Sequence, residues 1–240
     1  MENKHNILEI LQDQKASKLS GNLYEYSAVK FSYNTNKIEG STLSEEDTRG
    51  IFHNNTLLTS GQMNIDDIIE MKNQLSMFDY MLDIAKEKLT EEMIKKFHSI
   101  LKSNTSDEKK DWFNVGKYKK LANTVGGKDT TNPKDVSKEM KKLLDSYNSK
   151  GDIKIEDIIQ FHFEFEKIHP FQDGNGRVGR IIMFKECLKH SIIPFIIQNE
   201  NKQYYYRGLS EYENEKGYLI DTCLSAQDKY KDAVKKFLES

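Results

Sequence analysis

A chain of 240 residues with 37% hydrophobic and 31% charged positions has ample material for a packed core, so one or two globular domains are expected. Its 36 basic and 38 acidic residues leave a formal net charge of −2, which argues against nucleic acid or an anionic membrane surface as a partner. Cys187 and Cys223 lack CxxC spacing and are too few for a disulfide framework, no run reaches the ~18 apolar residues that span a bilayer, and the charged first fifteen residues do not read as a cleavable signal, so a cytoplasmic protein with two buried thiols is expected.

Only three prolines occur, and most of the chain reads with helical period. Helices are expected at about 6 to 15, 22 to 38, 45 to 53, 65 to 87, 90 to 103, 134 to 148, 154 to 167, 177 to 190, 203 to 213 and 216 to 238. Three starts are readable: a capping box of Thr42 with Glu45, Thr90 ahead of Glu91, and Pro133 at a first helical position after Asn132. The exception to helix is 116–133, where Thr and Val flank Gly126-Gly127 and predict a β-hairpin. A lone hairpin is marginal and should lie over something. The expectation is an all-α fold with one small β-hairpin.

The segment IHPFQDGNGRVGR, 168–180, carries the chemistry. Gly174 and Gly176 allow consecutive amides to converge just before a helix, a cradle for phosphate. Arg177 and Arg180 lie i and i+3 in the first turn, where the helix dipole disfavours cations, so an anion is expected there; a di- or triphosphate would meet both forks and the cradle. Asp173 beside the cradle suits a Mg²⁺ ligand, and His169 suits a general base. Together these parts describe phosphoryl or nucleotidyl transfer to a nucleophile activated by His169. His162, Glu166 and His169, at i, i+4 and i+7, form a competing metal-ligand set, against which His162 reads as a core residue.

A second misplaced charge lies in NTNKIEGSTLS, 34–44. Gly40 reads as the left-handed residue past a helix end, which leaves Glu39 in the last turn, where a cation is preferred. Thr35, four residues earlier on the same face, can hydrogen-bond and orient the Glu39 carboxylate.

His169, Phe171, Asp173, Gly174, Asn175, Gly176, Arg177 and Arg180 match the HxFx[DE]GNGRxxR signature of the Fic (Fido) family without departure, and the resemblance runs from about residue 25 to about 225. It implies a single Fic-type domain over 1–240, with an inhibitory helix at about 22–39 and a Fic core at about 65–225. It implies an enzyme that moves AMP from ATP to a hydroxyl of a target protein or of itself. In that reading His169 is the base, Asp173 holds Mg²⁺, Asn175 and the amides of Gly174 and Gly176 bind phosphate, and Arg177 and Arg180 bind the outer phosphates. The hairpin resembles the family's flap, at about 121–132, which binds the target by strand addition, with Val125, Gly126, Gly127 and Lys128 bordering the ATP site. YYRGL, 205–209, is similar to a family phrase that places an aromatic, here Tyr205, beside adenine, while Glu213 stands in the register of a family Asn that contacts the base. Thr35, Glu39 and Gly40 match the family's [ST]xxxE[GN] inhibitory motif, which implies that Glu39 pairs with Arg180 in place of the γ-phosphate. Two other readings remain open: removal of AMP with Glu39 orienting water, and a nucleotide-sensing peptide-binding module. A homodimer is also expected from exposed N-terminal helices.

Overall fold

The computed structural model describes residues 6–58 and 63–239. In chain order they form α1 (Ile7–Ser17), α2 (Leu23–Ile38), α3 (Glu45–Asn54), α4 (Ile65–Asp83), α5 (Glu91–Lys102), the hairpin strands β1 (Thr124–Val125) and β2 (Lys128–Asp129), α6 (Val136–Asn148), α7 (Ile155–Ile168), α8 (Asn175–Lys189), α9 (Lys202–Glu211) and α10 (Gly217–Glu239). Short 3₁₀ turns lie at Ser106–Lys109 and Asn199–Asn201. The expected fold class, helical with one small hairpin, is what the chain adopts. No described helix is long and apolar enough to cross a membrane.

The arrangement turns on α8. Apolar residues recur around all its faces, and its four buried charged residues Arg177, Arg180, Lys185 and Glu186 have ion-pair partners, so the helix sits inside. Nearly all of it is buried, including Val178, Ile181, Ile182, Met183, Phe184 and Leu188. Helices α2, α4, α5 and α7 pack around it. Phe184 meets Phe31 of α2 at 5.6 Å, Phe78 of α4 at 5.4 Å and Tyr230 of α10 at 5.7 Å between ring centroids, so one side chain joins four helices. Cys187 and Cys223 are buried free thiols.

Three local starts differ from expectation. The capping box of α3 is Ser44 with Asp47, because Thr42 is drawn aside: its amide and hydroxyl both donate to Asp67 Oδ2 at 2.8 Å. Helix α6 begins at Val136, and Asn132-Pro133 form the turn before it, closed by Asp135 N–H donating to the Asn132 carbonyl at 2.8 Å. Helix α8 begins at Asn175, two residues before the expected start, because Gly174 takes the left-handed N-cap position at φ +79°. The hairpin is shorter than 116–133: only Thr124–Asp129 and Val125–Lys128 pair, around Gly126 and Gly127 at φ +57° and +77°, the two left-handed positions of a type I′ turn. Thr90 caps α5 as expected, accepting from Met93 N–H at 3.2 Å.

Because Phe184 packs on three other helices and is fully buried, Phe184→Ala should cost about 3–5 kcal/mol of stability. Urea unfolding checks this, and a loss below 1 kcal/mol would show that α8 is not the packing centre.

Candidate functional site

Helix α7 stops because Pro170 follows His169, and His169 takes the left-handed C-cap at φ +52°, its N–H donating to the Phe165 carbonyl at 2.9 Å. The loop that follows is pinned at its middle. Phe171 is fully buried and stacks flat on His98 of α5, with centroids 4.0 Å apart and planes within 1°. Asn175 fastens both ends of that residue, accepting from Phe171 N–H at 2.8 Å and donating to its carbonyl at 2.9 Å. The Asn175 side chain, expected to bind phosphate, is therefore committed to the loop. What the loop presents outward is the backbone of 174–177, whose first amides have no acceptor within the helix.

Arg180 on α8 is buried and fully engaged. Its Nε donates to Thr35 Oγ1 at 2.8 Å, and Nη2 donates to the Thr35 carbonyl at 3.1 Å and to Glu39 Oε1 at 2.5 Å. Nη1 donates to the Tyr205 hydroxyl at 3.4 Å. Burial alone would lower its pKa, and the Glu39 carboxylate more than reverses this. The expected Thr35–Glu39 hydrogen bond is absent: Thr35 instead holds the guanidinium, and the two residues, one turn apart on α2, grip the same cation. Gly40, at φ +97°, ends the helix and lets Glu39 turn inward. The carboxylate also lies on the start of α8, since any side chain at Gly176 would collide with Glu39 Oε1 and come within 2.9 Å of Arg180 Nη1. A side chain there would have to displace the ends of Glu39 and Arg180 from their pairing.

Arg177 points elsewhere. It is ion-paired with Glu70 of α4, reaches Asp173 Oδ2 at 3.2 Å and donates to Asn36 Oδ1 at 3.3 Å, and it does not line the cavity described below. The anion that Arg177 meets in this structure is Glu70. Lys102 of α5 is 2% exposed and places Nζ at 2.5 Å from Glu70, 2.5 Å from Asp107 and 2.7 Å from Asp173. Those three carboxylates converge as a cation site would, and the ammonium occupies its middle. Burial would raise the Asp173 carboxyl, but Arg177 and Lys102 hold it well below the usual carboxylate range, so it is ionised.

One cavity, of 680 Å³, collects the rest, a size suited to a nucleotide-sized molecule. It is lined by Glu39, Asp173, Gly174, Asn175, Gly176, Arg180 and His169, by Val125, Gly126 and Lys128 of the hairpin, by Glu166 of α7, and by the apolar Phe163, Tyr206 and Leu209. Gly127, expected at the border, does not line it. Tyr205 is buried, lines the wall and joins His162 Nε2 at 2.6 Å to Arg180. Glu213 lies at the rim, paired with Lys167 at 2.5 Å. His162, Glu166 and His169 do not gather as metal ligands; the described carboxylate and imidazole groups converge only at Glu70, Asp107 and Asp173.

Burial lowers the His169 pKa to about 4, and the Lys119 ammonium pushes the same way. Lys119 itself, brought down by burial to about 8, donates to Asn123 Oδ1 at 2.7 Å and Thr130 Oγ1 at 2.5 Å, and so ties both arms of the hairpin beside His169. The imidazole is thus neutral near pH 7, with a lone pair free to take a proton. Lys102, Glu70, Asp107 and Lys119 escaped sequence reasoning. For Lys102 a signal existed: it shares the apolar face of α5 with Ile94, His98 and Leu101, a position that surface lysines avoid.

Residues 88–187 match the Fic/DOC family model. The chain is 26% identical over 213 residues to "Protein adenylyltransferase Fic" of Nematostella vectensis, covering 83% of this chain and 48% of that one. It is also 26% identical over 183 residues to "Protein adenylyltransferase fic-1" of Caenorhabditis elegans, covering 74% and 35%. The chain thus spans less than half the length of these relatives. Among solved structures, a Fic domain containing signaling protein of Bacteroides thetaiotaomicron superposes with TM-score 0.76 at 22% identity, over 96% of this chain and 94% of that one. Fic-1 (residues 134–508) of C. elegans gives 0.73 at 19%, over 97% and 73%. At these identities the likeness shows a shared fold.

Four imidazoles, His98, His162, His169 and His190, have pKa values lowered by burial, whereas burial raises the carboxyls Asp79 and Glu166. Below the ordinary histidine value of ~6.5 the unfolded chain binds protons that the folded imidazoles refuse, so stability falls as pH falls. The two carboxyls act in the opposite sense above ~4.3, because folding retains protons the unfolded chain has lost. With four groups against two, unfolding free energy measured in urea should drop between pH 7 and pH 5, on the order of 1–2 kcal/mol per unit. A rise on acidification would contradict the neutral, buried state assigned to these histidines.

Proposed function

Because the chain carries a Fic/DOC family domain at residues 88–187, we propose that it is a protein adenylyltransferase, moving AMP from ATP to a hydroxyl of a target protein or of itself, and that Glu39 holds it in a low-activity state. The observation that carries this reading is the meeting, in one cavity, of a neutral His169, an ionised Asp173 and the N-terminus of α8. His169 takes the proton of the attacking hydroxyl, whose oxygen bonds the α-phosphorus as the bond to pyrophosphate breaks. The amides at 174–177 bind phosphate oxygens, and Arg180 binds the γ-phosphate.

Asp173 fits Mg²⁺: it is a hard oxygen donor, ionised and 54% exposed. A Mg²⁺ held there supplies positive charge to the phosphate oxygens. The rest of the work falls to the chain. Thr35 and Tyr205 orient Arg180, Asn175 keeps the loop in shape, and the apolar lining residues Phe163, Tyr206 and Leu209 receive the base. In this proposal 22–39 is an inhibitory helix on a core of about 65–225, and the hairpin at about 121–132 takes the target's main chain by strand addition. A second copy of the chain is a further proposed partner.

Glu39 competes for what ATP needs. Its carboxylate occupies Arg180 and covers Gly176, so the triphosphate is denied the fork that would set the α-phosphate for in-line attack. After incubation with ATP and Mg²⁺, intact-mass analysis of Glu39→Gly should show AMP adducts at ten times the wild-type level or more, and Glu39→Gly/His169→Ala should show none. Equal adducts in all three proteins would overturn both the activity and its restraint.

A further inference from the structure

Three buried polar atoms on α7 and its C-cap have no hydrogen-bond partner: His162 Nδ1, Glu166 Oε1 and His169 Nδ1. They recur at i, i+4 and i+7, the row that the sequence offered as metal ligands. Orphaned buried groups are rare and costly, so three in a row beside a reactive histidine call for a cause. The row is built by its surroundings. Gly179 of α8 lacks the side chain that would strike His162 Nδ1 at 2.5 Å and Glu166 Oε1 at 3.1 Å, and this gap is what admits both groups. At the far end His162 Nε2 meets the Tyr205 hydroxyl at 2.6 Å, and Tyr205 receives Arg180. At the near end Glu166 Oε2 stands 3.8 Å from His169 Nδ1, just beyond hydrogen-bond reach.

We propose that Glu166 is a positioning residue for His169, its side-chain oxygen accepting the Nδ1 proton so that the lone pair resides on Nε2, the nitrogen left to the cavity. This rests on the reading of His169 as the base. A base at Nε2 needs its proton fixed on Nδ1, and a neutral imidazole has no such preference without an acceptor. Closing the gap to hydrogen-bond distance takes a movement of under 1 Å, and catalytic contacts commonly tighten only when substrate arrives. The row then pairs without an orphan: with its carboxyl protonated, Glu166 Oε1 donates to His162 Nδ1, His162 Nε2–H donates to the Tyr205 hydroxyl, and Glu166 Oε2 accepts from His169 Nδ1. After His169 has taken the hydroxyl proton on Nε2, the Glu166 carbonyl oxygen still accepts from Nδ1 and keeps the ring oriented.

The electrostatics suit a group whose charge responds to the site. Burial pushes the Glu166 carboxyl up to about 8, Arg180 draws it down and Glu39 drives it up again. Glu166 therefore feels both members of the ion pair that closes the site. One other acceptor faces the ring, the main-chain carbonyl of Glu166, and it survives any substitution of the side chain.

That rival makes the test decisive. Glu166→Met keeps the volume and removes the acceptor, while Glu166→Gln keeps a carbonyl oxygen. Histidine ¹⁵N chemical shifts of the full chain, with the His169 signal assigned by its loss in His169→Ala, report the tautomer and do not depend on turnover. With the side chain as acceptor, Glu166→Met shifts His169 from the Nδ1–H form to a mixture and Glu166→Gln retains the Nδ1–H form. In the Glu39→Gly background, kcat for self-modification falls at least tenfold in Glu166→Met and at most about threefold in Glu166→Gln, with KM for ATP unchanged in both. An unshifted His169 tautomer in Glu166→Met would assign the proton to the main-chain carbonyl and overturn the proposal. If Glu39→Gly were inactive the adenylyltransferase reading would fail, and the tautomer measurement would still decide the role of Glu166.

Discussion

A guanidinium buried to within 3% of full enclosure cannot be left unpaired, and that constraint on Arg180 organises the molecule around it. Its five N–H donors must find acceptors inside the fold, and α2 and α9 supply them: the Thr35 hydroxyl and carbonyl, the Glu39 carboxylate and the Tyr205 hydroxyl. Two helices far apart in the chain, α2 and α9, are thereby fixed around the start of α8. A pair that is so fully desolvated adds little net stability by itself, yet breaking one side of it is costly. The arrangement therefore asks to be exchanged rather than broken, and an incoming phosphate is an anion that could make the exchange.

The two arginines of the motif carry similar demands and meet different answers. Arg177 is enclosed with Glu70 and Asp173, behind the cavity wall, and braces the carboxylate proposed to hold the metal. Arg180 lines the cavity, where its fork is proposed to pass from carboxylate to phosphate. Lys102, held among Glu70, Asp107 and Asp173, extends the same bracing network, so the ionised state of Asp173 is maintained by two cations from two helices.

Most of the fold was legible because helix signals are local. Apolar spacing located all ten helices to within a few residues, and Gly126-Gly127 located the hairpin. What failed were choices between adjacent caps: whether Thr42 or Ser44 caps α3 depends on Asp67, a residue from another helix that local sequence cannot supply. The site divides in the same way. The GNGR cradle, His169 and the Glu39–Gly40 helix end could be read because each contradicts a local rule of helix electrostatics or backbone freedom. The partners of Arg177, the commitment of Asn175 to Phe171 and the grip of Thr35 on Arg180 could not, since each is a long-range or loop-closing contact chosen among several acceptors.

The central claim is that Glu39 and the γ-phosphate compete for one guanidinium, and comparing ATP with ADP tests it most directly, because the two differ only in that phosphate. Dissociation constants measured by calorimetry, with Mg²⁺ present, should be nearly equal for ATP and ADP in the wild-type chain. In Glu39→Gly, ATP should bind about tenfold or more tightly than ADP, the worth of one charge-assisted contact at Arg180. The same ATP-to-ADP ratio in both proteins would show that Arg180 is not shared between them, and would contradict the account.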